Sequence, residues 1–331
     1  MQRTAFFVST AIVAMLIVVG PVRQAAAEFP ERAVTMINPQ SPGGAHDSVG
    51  RAFAAVAERY LGKPLVVLNK PGASTMIGTI AVAQAPPDGY TLLLASSITT
   101  TVVEWEILHG RKPGATRADF VSIGSLIQMP TVLSVPADSP WKSIGDLVRD
   151  AKAKPGFYAF GSSGLLTPTH LGSELFARAY GLSFRHVPFA GGGPVLTAVV
   201  GKHVDFTTQF TVTTIPLAQG NKLRILAVQG DRRLKAIPNV PTFKELGVNL
   251  ENYMWIGLVA PKNTPLPIVE KLQDVTAKVA KDKAFIDAIE KLGDEVRFMS
   301  GPELSQYWDK ESEENIKILR QLQTEGVRLG E

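Results

Sequence analysis

The sequence predicts an α/β protein of two lobes, each a mostly parallel sheet flanked by helices. The first observation is that apolar strand-like runs alternate with helical patterns after residue 28, which is typical of parallel sheets wrapped by helices. The second is that two extended apolar stretches, 121–136 and 252–261, contain no helical pattern. Two such crossings predict a discontinuous first lobe with a second lobe inserted into it.

The first 27 residues are expected to be a secretory signal peptide and not part of the fold. Arg3 supplies a positive start, residues 5–20 form an apolar core, and the alanines at 25–27 offer a cleavage site near Ala27-Glu28. The alternative is an uncleaved membrane anchor, but the run is short for a bilayer span and small residues follow it. We therefore expect a soluble periplasmic protein.

Composition excludes several classes of function. Of the 331 residues, 45% are hydrophobic and 19% charged, as in globular proteins. Without Arg3 and Arg23, 32 Lys and Arg face 30 Asp and Glu, a net charge of about +2, and no basic cluster indicates nucleic-acid binding. The chain has no cysteine, which excludes disulfides and thiolate chemistry. Its five histidines lack metal-ligand spacing, so no metal or cofactor is expected.

The elements follow one another in a regular order. Strands are predicted at 33–37, 64–69, 90–96, 131–136, 157–162, 184–189, 204–209, 223–228 and 255–261. Helices are predicted at 45–61, 76–85, 143–153, 169–180, 194–201, 266–281, 282–292 and 302–325. The crossings then assign 28–127 and 254–331 to one lobe and 128–253 to the other.

The turn NPQSPGGAHDS at 38–48 is predicted to bind an anion. Glycine lets backbone N–H groups approach a ligand closely because no side chain intervenes. The helix that follows presents its unpaired first-turn N–H groups and the positive end of its dipole. In open α/β sheets, ligands bind beyond the carboxyl ends of strands, where this turn falls. For this loop alone, a tight connection that binds nothing is an equal alternative.

The same pattern recurs after four further strands. Turns rich in Gly, Ser and Thr lie within 69–78, 96–101, 160–176 and 187–199. Five such turns predict one cleft whose polar groups are mostly backbone donors.

Competing chemistry is weaker. Gly191-Gly192-Gly193 lacks the Lys-Ser/Thr of a phosphate loop, and GSSG at 161–164 is not a nucleophile elbow. Ser41, His46 and Asp47 have the residue types of a catalytic triad, but they crowd one short loop, where triad members rarely converge.

The ordered series of segments resembles the Bug-type receptors, the extracytoplasmic binding components of tripartite tricarboxylate transporters. The matching segments cover essentially all of 28–331 and include FPERAVTMI, PGGAHD, VVLNKPGASTMIG, APPDGYTLLLAS, WKSIGDLVRDAKAKPG, HLGSELF, HVPFAGGGP, GKHVDF, KLRILAV, PNVPTFKELG and WIGLVAPKNTP. The resemblance implies a type 2 periplasmic binding fold, a Venus flytrap. It also implies capture of a small organic anion, often a carboxylate, without catalysis.

Carried over by position, the resemblance implies contacts from both lobes. They are Gln40, Ser41, Gly43, Gly44, Asp47, Ser74 and Thr75 in the first lobe, and Ser162, Ser163, Thr167, Phe189, Ala190 and Gly191 in the second. The chain departs from the family at three of its candidate positions. Gln40 replaces an aromatic ring, His46 stands where Thr is common, and Gln209 stands where an Asp often follows the strand. The neutral Gln209 disfavours an amino-acid ligand and favours a plain carboxylate, an aromatic one included.

His46 carries a hypothesis of its own. A bound carboxylate favours an imidazolium while the helix dipole disfavours it. We therefore expect ligand binding to raise the His46 pKa and to take up a proton between about pH 8 and about pH 6. The alternative is that His46 faces solvent.

The function predicted from these features is that of a monomeric solute receptor. It would pass its ligand to a membrane permease of the tripartite type or report it to a sensor kinase. The alternative from another class is an exported hydrolase that uses the same cleft and depends on Ser41 or His46.

Overall fold

Strands and helices alternate along most of residues 29–324, which is the part of the chain that the computed structural model describes, without the side chains of residues 322 and 323. The predicted signal peptide lies outside the described residues. The strands are β1 Val34–Asn38, β2 Leu65–Asn69, β3 Thr91–Ser96, β4 Phe120–Pro136, β5 Ala159–Ser162, β6 Arg185–Pro188, β7 Phe206–Phe210, β8 Leu223–Gln229, β9 Tyr253–Pro261 and β10 Val296–Ser300. The helices are α1 Ala45–Leu61, α2 Met76–Ala83, α3 Ser97–Leu108, α4 Ile144–Ala153, α5 Pro168–Tyr180, α6 Gly192–Val200, α7 Thr211–Gln219, α8 Leu266–Lys281, α9 Lys283–Lys291 and α10 Gly301–Thr324. The predicted α/β class is confirmed.

The strands form two sheet regions that share β4. In the first, β1 lies between β2 and β3 and is parallel to both. The antiparallel β9 then joins β3 to β4, and β10 also pairs with β4. In the second, β5 lies between β6 and β7 and is parallel to both, while β7 and β8 pair with β4. These regions form the two lobes of the fold.

The 17-residue strand β4 changes partners near its middle. Its register with β9 ends at the pair Pro130–Tyr253, and its register with β7 and β8 begins at Thr131. Thr131 N donates to Asn252 O at 3.0 Å. The extended stretch expected at 121–136 is therefore one continuous strand.

Apolar side chains fix the helices on these sheets. In α1, Val49, Phe53 and Val56 are buried at spacings of four and three residues, which forms one apolar face. In the second sheet region, the core contains several aromatic rings. The rings of Phe176 and Phe206 meet edge to face with their centroids 5.9 Å apart, and the ring of Phe243 lies 5.8 Å from that of Phe176. Burial of one such side chain contributes about 1.5–3 kcal/mol.

Three elements were not predicted from the sequence: α3, α7 and β10. The segment 96–101 was expected to be a turn, but only Ser96 lies outside a helix, because α3 begins at Ser97. Ser97 and Thr101 are both buried, and Thr101 Oγ1 donates to Ser97 O at 3.0 Å. Burial thus overrides the weak helix propensity of the β-branched threonines here.

None of the helices within residues 29–324 has the length and apolarity that a bilayer span requires.

Two acidic side chains lie where α3 meets α10. Glu104 is 2% exposed, and Glu311 Oε2 accepts from Trp255 Nε1 at 2.8 Å and from Thr100 Oγ1 at 3.2 Å. Burial, together with the nearby charge of Glu311, raises the pKa of Glu104 to about 8, although a hydrogen bond with Ser312 acts in the opposite direction. Burial likewise raises the pKa of Glu311 to about 7.

We expect this pair to make the folded state less stable as pH rises. A carboxyl whose pKa is raised on folding favours the folded state fully below its unfolded pKa of about 4.5, and that stability is lost as pH rises through 7 and 8. Glu104→Gln should therefore raise the free energy of unfolding at pH 8 by on the order of 2 kcal/mol, and much less at pH 5. Thermal denaturation at both pH values measures this, with Glu313→Gln on the exposed side of α10 as control. An equal effect of Glu104→Gln at both pH values would contradict the assignment.

Candidate functional site

The carboxyl ends of the parallel strands in both sheet regions face one cleft of about 640 Å³. This volume is typical of small-molecule sites. The candidate residues that line it are Gln40, Ser41, Gly43, Gly44, His46, Ser74, Thr75, Ser163, Thr167, Ala190, Gly191 and Gln209. Within residues 29–324, no Asp, Glu, Lys or Arg is among the residues that line the cleft. The cleft is therefore polar without carrying a formal charge of its own.

Three candidate residues lie behind the lining. Ser162 is fully buried, and its Oγ lies 2.7 Å from His186 Nε2. Phe189 packs against the apolar cluster beneath α6. Asp47 is 4% exposed and directs its carboxylate into the protein. The structure thus gives these residues supporting positions, because each finds its partners inside its own lobe.

Among the described residues, five helices begin at this cleft without a side-chain cap: α1, α2, α3, α6 and α7. The first-turn N–H groups of a helix have no partner within the helix, and a side-chain cap is the usual way to satisfy one of them. By contrast, α5 is capped by Thr167, whose side chain accepts from His170 N. The five uncapped starts leave backbone donors and positive dipole ends for a ligand.

The turn before α1 is fixed by Asp47. Gly43 has φ +82°, a left-handed conformation that favours glycine. Its N–H donates to Asp47 Oδ2 at 3.0 Å, and Arg51 Nε donates to the same oxygen at 2.9 Å. Asn69 Nδ2 donates to Asp47 Oδ1 at 2.9 Å. Burial alone would raise the pKa of Asp47, but these hydrogen bonds outweigh burial and lower the pKa to about 2, the bond from Arg51 contributing most.

The second turn, after β2, has an unusual backbone. Ala73, Ser74 and Thr75 have φ of 45°, 48° and 84°, and Gly72 before them has φ 127°. Left-handed conformations cost free energy for residues with a Cβ and cluster at binding sites. Successive turn N–H groups also form concave anion sites. This strained turn therefore places a second set of backbone donors beside the first.

His46 lies inside the cleft wall with one ring nitrogen satisfied. It is 1% exposed, so the alternative that it faces solvent is wrong. Its Nδ1 lies 2.9 Å from Asn38 Oδ1, while Nε2 is buried without a hydrogen-bond partner. Burial lowers the His46 pKa to about 3, although the nearby Asp47 raises it slightly. The ring is therefore neutral at pH 7.

Two other polar atoms of the cleft wall are buried without partners. Gln209 Oε1 accepts from Phe210 N at 3.1 Å, which leaves Gln209 Nε2 as an unpaired donor. Thr75 Oγ1 is also unpaired. Unpaired buried polar groups are costly, and a bound ligand would satisfy these.

Sequence reasoning missed the supporting asparagines. Asn38 and Asn69 end β1 and β2, face each other in register, and both contact Asp47. Their position at the ends of two predicted strands, beside a glycine turn, could have indicated a role in the site. The apolar lining residues Ile98, Phe210 and Met254 were not readable, because they come from segments far apart in the chain.

No group of three His, Cys, Asp or Glu side chains within residues 29–324 is arranged to hold a metal ion.

Comparison with known proteins identifies relatives along nearly the whole chain. Residues 49–324 match the family described as the tripartite tricarboxylate transporter family receptor, TctC. The UPF0065 protein in the gbd 5′ region of Cupriavidus necator is 32% identical over 316 residues, 93% of this chain and 94% of that protein. Protein BugT of Bordetella pertussis is 32% identical over 261 residues, 78% of this chain and 80% of that protein.

Solved structures show the same fold. A protein of R. palustris with adipate superposes with a TM-score of 0.79 at 27% identity, covering 88% of this chain and 98% of that one. MatC of Rhodopseudomonas palustris with bound malate superposes with a TM-score of 0.77 at 26% identity, covering 88% of this chain and 100% of that one.

We expect Asp47→Asn to destabilise the protein at pH 7 by about 1–3 kcal/mol, because a charged acceptor of several hydrogen bonds is lost. Since the pKa of Asp47 is lowered from 3.8 to about 2, this stabilisation is present above pH 3.8 and lost as pH falls through 2. The gap to the wild type should therefore narrow below pH 4. Thermal denaturation from pH 7 to pH 2.5 measures it. Asp274→Asn is the matched control, because Asp274 also pairs with a cation four residues on, Lys278, but lies exposed on α8.

Proposed function

The chain belongs to the tripartite tricarboxylate transporter receptor family, whose members are solute receptors rather than enzymes, and we propose that it captures a small organic carboxylate in the cleft between its lobes. The solute binds for uptake or sensing and is released unchanged. The candidate residues that line the cleft provide the contacts, and Asp47 positions the first glycine turn.

One observation carries this proposal: five uncapped helix starts face a cleft that no charged side chain lines. An anion placed there receives backbone N–H groups and dipole ends of one sign. A cation would meet neither a carboxylate nor a ring of carbonyl groups from helix ends. The unpaired Gln209 Nε2 adds a neutral donor.

The ligands bound by two structural neighbours support the proposal that this chain binds a carboxylate. One neighbour was solved with adipate and another with malate. Both molecules are small dicarboxylates, and the cleft of about 640 Å³ is large enough for either.

The geometry disfavours the hydrolase alternative. His46 Nδ1 faces Asn38 rather than Ser41, and the Asp47 carboxylate faces Gly43, Asn69 and Arg51 rather than an imidazole. The other serine–histidine contact, between Ser162 and His186, is buried, and the Ser162 hydroxyl also lies 2.9 Å from Gly164 O as a donor. A nucleophilic serine needs a base that accepts its proton and access to a substrate, and neither pair has both.

We also propose the domain and cellular assignments. Lobe 1 comprises 28–127 and 254–331, and lobe 2 comprises 128–253, which places the hinge where β4 and β9 meet the second sheet region. Export removes the leader near Ala27-Glu28, and the mature monomer acts in the periplasm. Its partner there is a permease of the tripartite type or a sensor kinase.

Binding of organic acids tests the function. In a thermal-shift screen, an acid present at 100 times its dissociation constant is expected to stabilise the folded state by about 2.7 kcal/mol. Gly44→Val should weaken binding roughly tenfold or more, because a branched side chain blocks the approach to the first turn of α1.

Gly44→Val is a clean variant because the backbone there accepts any residue. Gly44 has φ −83° and ψ 175°, and an added Cβ meets nothing nearer than Ser41 O at 3.9 Å. Its thermal stability should match that of the control Gly145→Val on α4. If no organic acid binds, the proposed function is wrong, and if Gly44→Val binds with unchanged affinity, the placement of the site is wrong.

Closure of the lobes is the second expectation. Because the ligand contacts come from both lobes, binding should favour a closed arrangement about the β4–β9 crossing. Small-angle scattering with and without a saturating acid should show a smaller radius of gyration in its presence. An unchanged profile would argue against closure while leaving binding intact.

A further inference from the structure

We propose that His46 reads a hydroxyl group on the ligand through its free Nε2 atom, so that the receptor prefers hydroxycarboxylates over plain carboxylates. This inference rests on the proposed function, because it names the class of organic acid that the same cleft selects. It also replaces the expectation that His46 binds the ligand as an imidazolium.

The contact with Asn38 determines which nitrogen of the His46 ring carries the hydrogen. Asn38 Nδ2 donates to Asp47 Oδ1 at 3.3 Å, and Asn38 Oδ1 accepts from Gln40 N at 3.1 Å. These two contacts fix the orientation of the amide, so it is Oδ1 that lies 2.9 Å from His46 Nδ1. Since Oδ1 is only an acceptor, Nδ1 must carry the hydrogen. A neutral ring then has a bare lone pair at Nε2.

The Nε2 atom of His46 has no partner within the described part of the protein. The atom is buried, has no hydrogen-bond partner among the described residues, and belongs to a residue that lines the cleft. A lone pair repels a carboxylate oxygen and accepts a hydrogen bond from a hydroxyl group. Among residues 29–324, Asp47 is the ionisable side chain whose charge raises the pKa of the ring, and burial outweighs this effect. Imidazolium formation at neutral pH therefore has little support from the protein.

The acceptor atom of His46 differs from the other polar groups of the cleft. The uncapped helix starts and Gln209 Nε2 are all donors, which suit carboxylate oxygens. His46 Nε2 is an acceptor among these donors. A molecule with both a carboxylate and a hydroxyl group satisfies both kinds of group, whereas a plain diacid leaves Nε2 unpaired.

One structural neighbour was solved with a hydroxy acid, malate, and another with a plain diacid, adipate. The preference for a hydroxyl group is therefore proposed from His46 of this chain and not from its neighbours.

Matched acid pairs test the proposal. Calorimetry would compare malate with succinate, and 2-hydroxyglutarate with glutarate, because each pair differs by one hydroxyl group. In the wild type we expect the hydroxy acid to bind about three to ten times more tightly, the worth of one neutral hydrogen bond. In His46→Leu the two members should bind equally. In His46→Gln the preference should survive, because the amide can donate to Asn38 and present its Oε1 to the cleft.

Some results would overturn the proposal while leaving the receptor function intact. They are equal affinities within each pair for the wild type, an unchanged preference in His46→Leu, and binding confined to acids without a hydroxyl group. Proton uptake on succinate binding that disappears in His46→Gln, measured in buffers of different ionisation enthalpy, would also overturn it, because that uptake would come from an imidazolium at His46. Failure to bind any organic acid would instead refute the proposed function.

A ligand-free measurement judges His46 separately. In protein labelled with ¹⁵N-histidine, with the His46 signals identified by their loss in His46→Gln, we expect a protonated Nδ1 and a bare Nε2 at pH 7. An Nε2–H tautomer or an imidazolium would overturn the proposal whatever the acids do. This arm also remains informative if His46→Leu does not fold.

Discussion

The continuity of β4 is the constraint on which the two-lobed structure depends. The first part of this strand pairs with β9 and β10, and the second part pairs with β7 and β8. Where the partners change, Asn252 Nδ2 donates to Thr131 Oγ1 at 2.8 Å, and Gln229 Nε2 donates to Gly172 O at 2.7 Å. This buried polar group of side chains fixes the register of the crossing. The parallel strand ends of both lobes consequently face the same cleft.

Backbone atoms supply the positive electrostatic potential of the cleft. An anion needs positive potential, yet no Lys or Arg of the described part of the chain lines the cleft. The helix starts supply it, and they do so without the desolvation cost of a buried Lys or Arg. The negative charge of Asp47 would oppose this arrangement, but its carboxylate already accepts hydrogen bonds from Gly43, Asn69 and Arg51. Its charge is thus neutralised within the wall, where it holds the glycine turn in shape.

Much of the fold was predictable because the strongest signals are local. The apolar face of α1, with Val49 and Phe53 one turn apart, and the glycine turn before it are both written in adjacent residues. Helix α3 was not predictable, because threonines favour other conformations and only tertiary burial holds them in a helix. For the site, sequence reasoning identified the glycine and serine turns. The burial of His46 and the inward direction of Asp47 depend on Asn38 and Asn69, whose meeting is set by strand register rather than by sequence spacing.

The uncapped helix starts have a consequence for evolution. A binding site made of side chains loses affinity when those side chains change, but the main-chain donors of α1 and α6 persist under most substitutions. Affinity for an acid group is thus inherited with the fold, and selection is free to act on the few side chains that also reach the cleft. A lineage can then acquire a new nutrient by exchanging residues such as those at 46 and 209, one at a time, without passing through a form that binds nothing. Under the proposed function, main-chain groups capture the acid and side chains discriminate between acids, so the side chains can change while capture is retained.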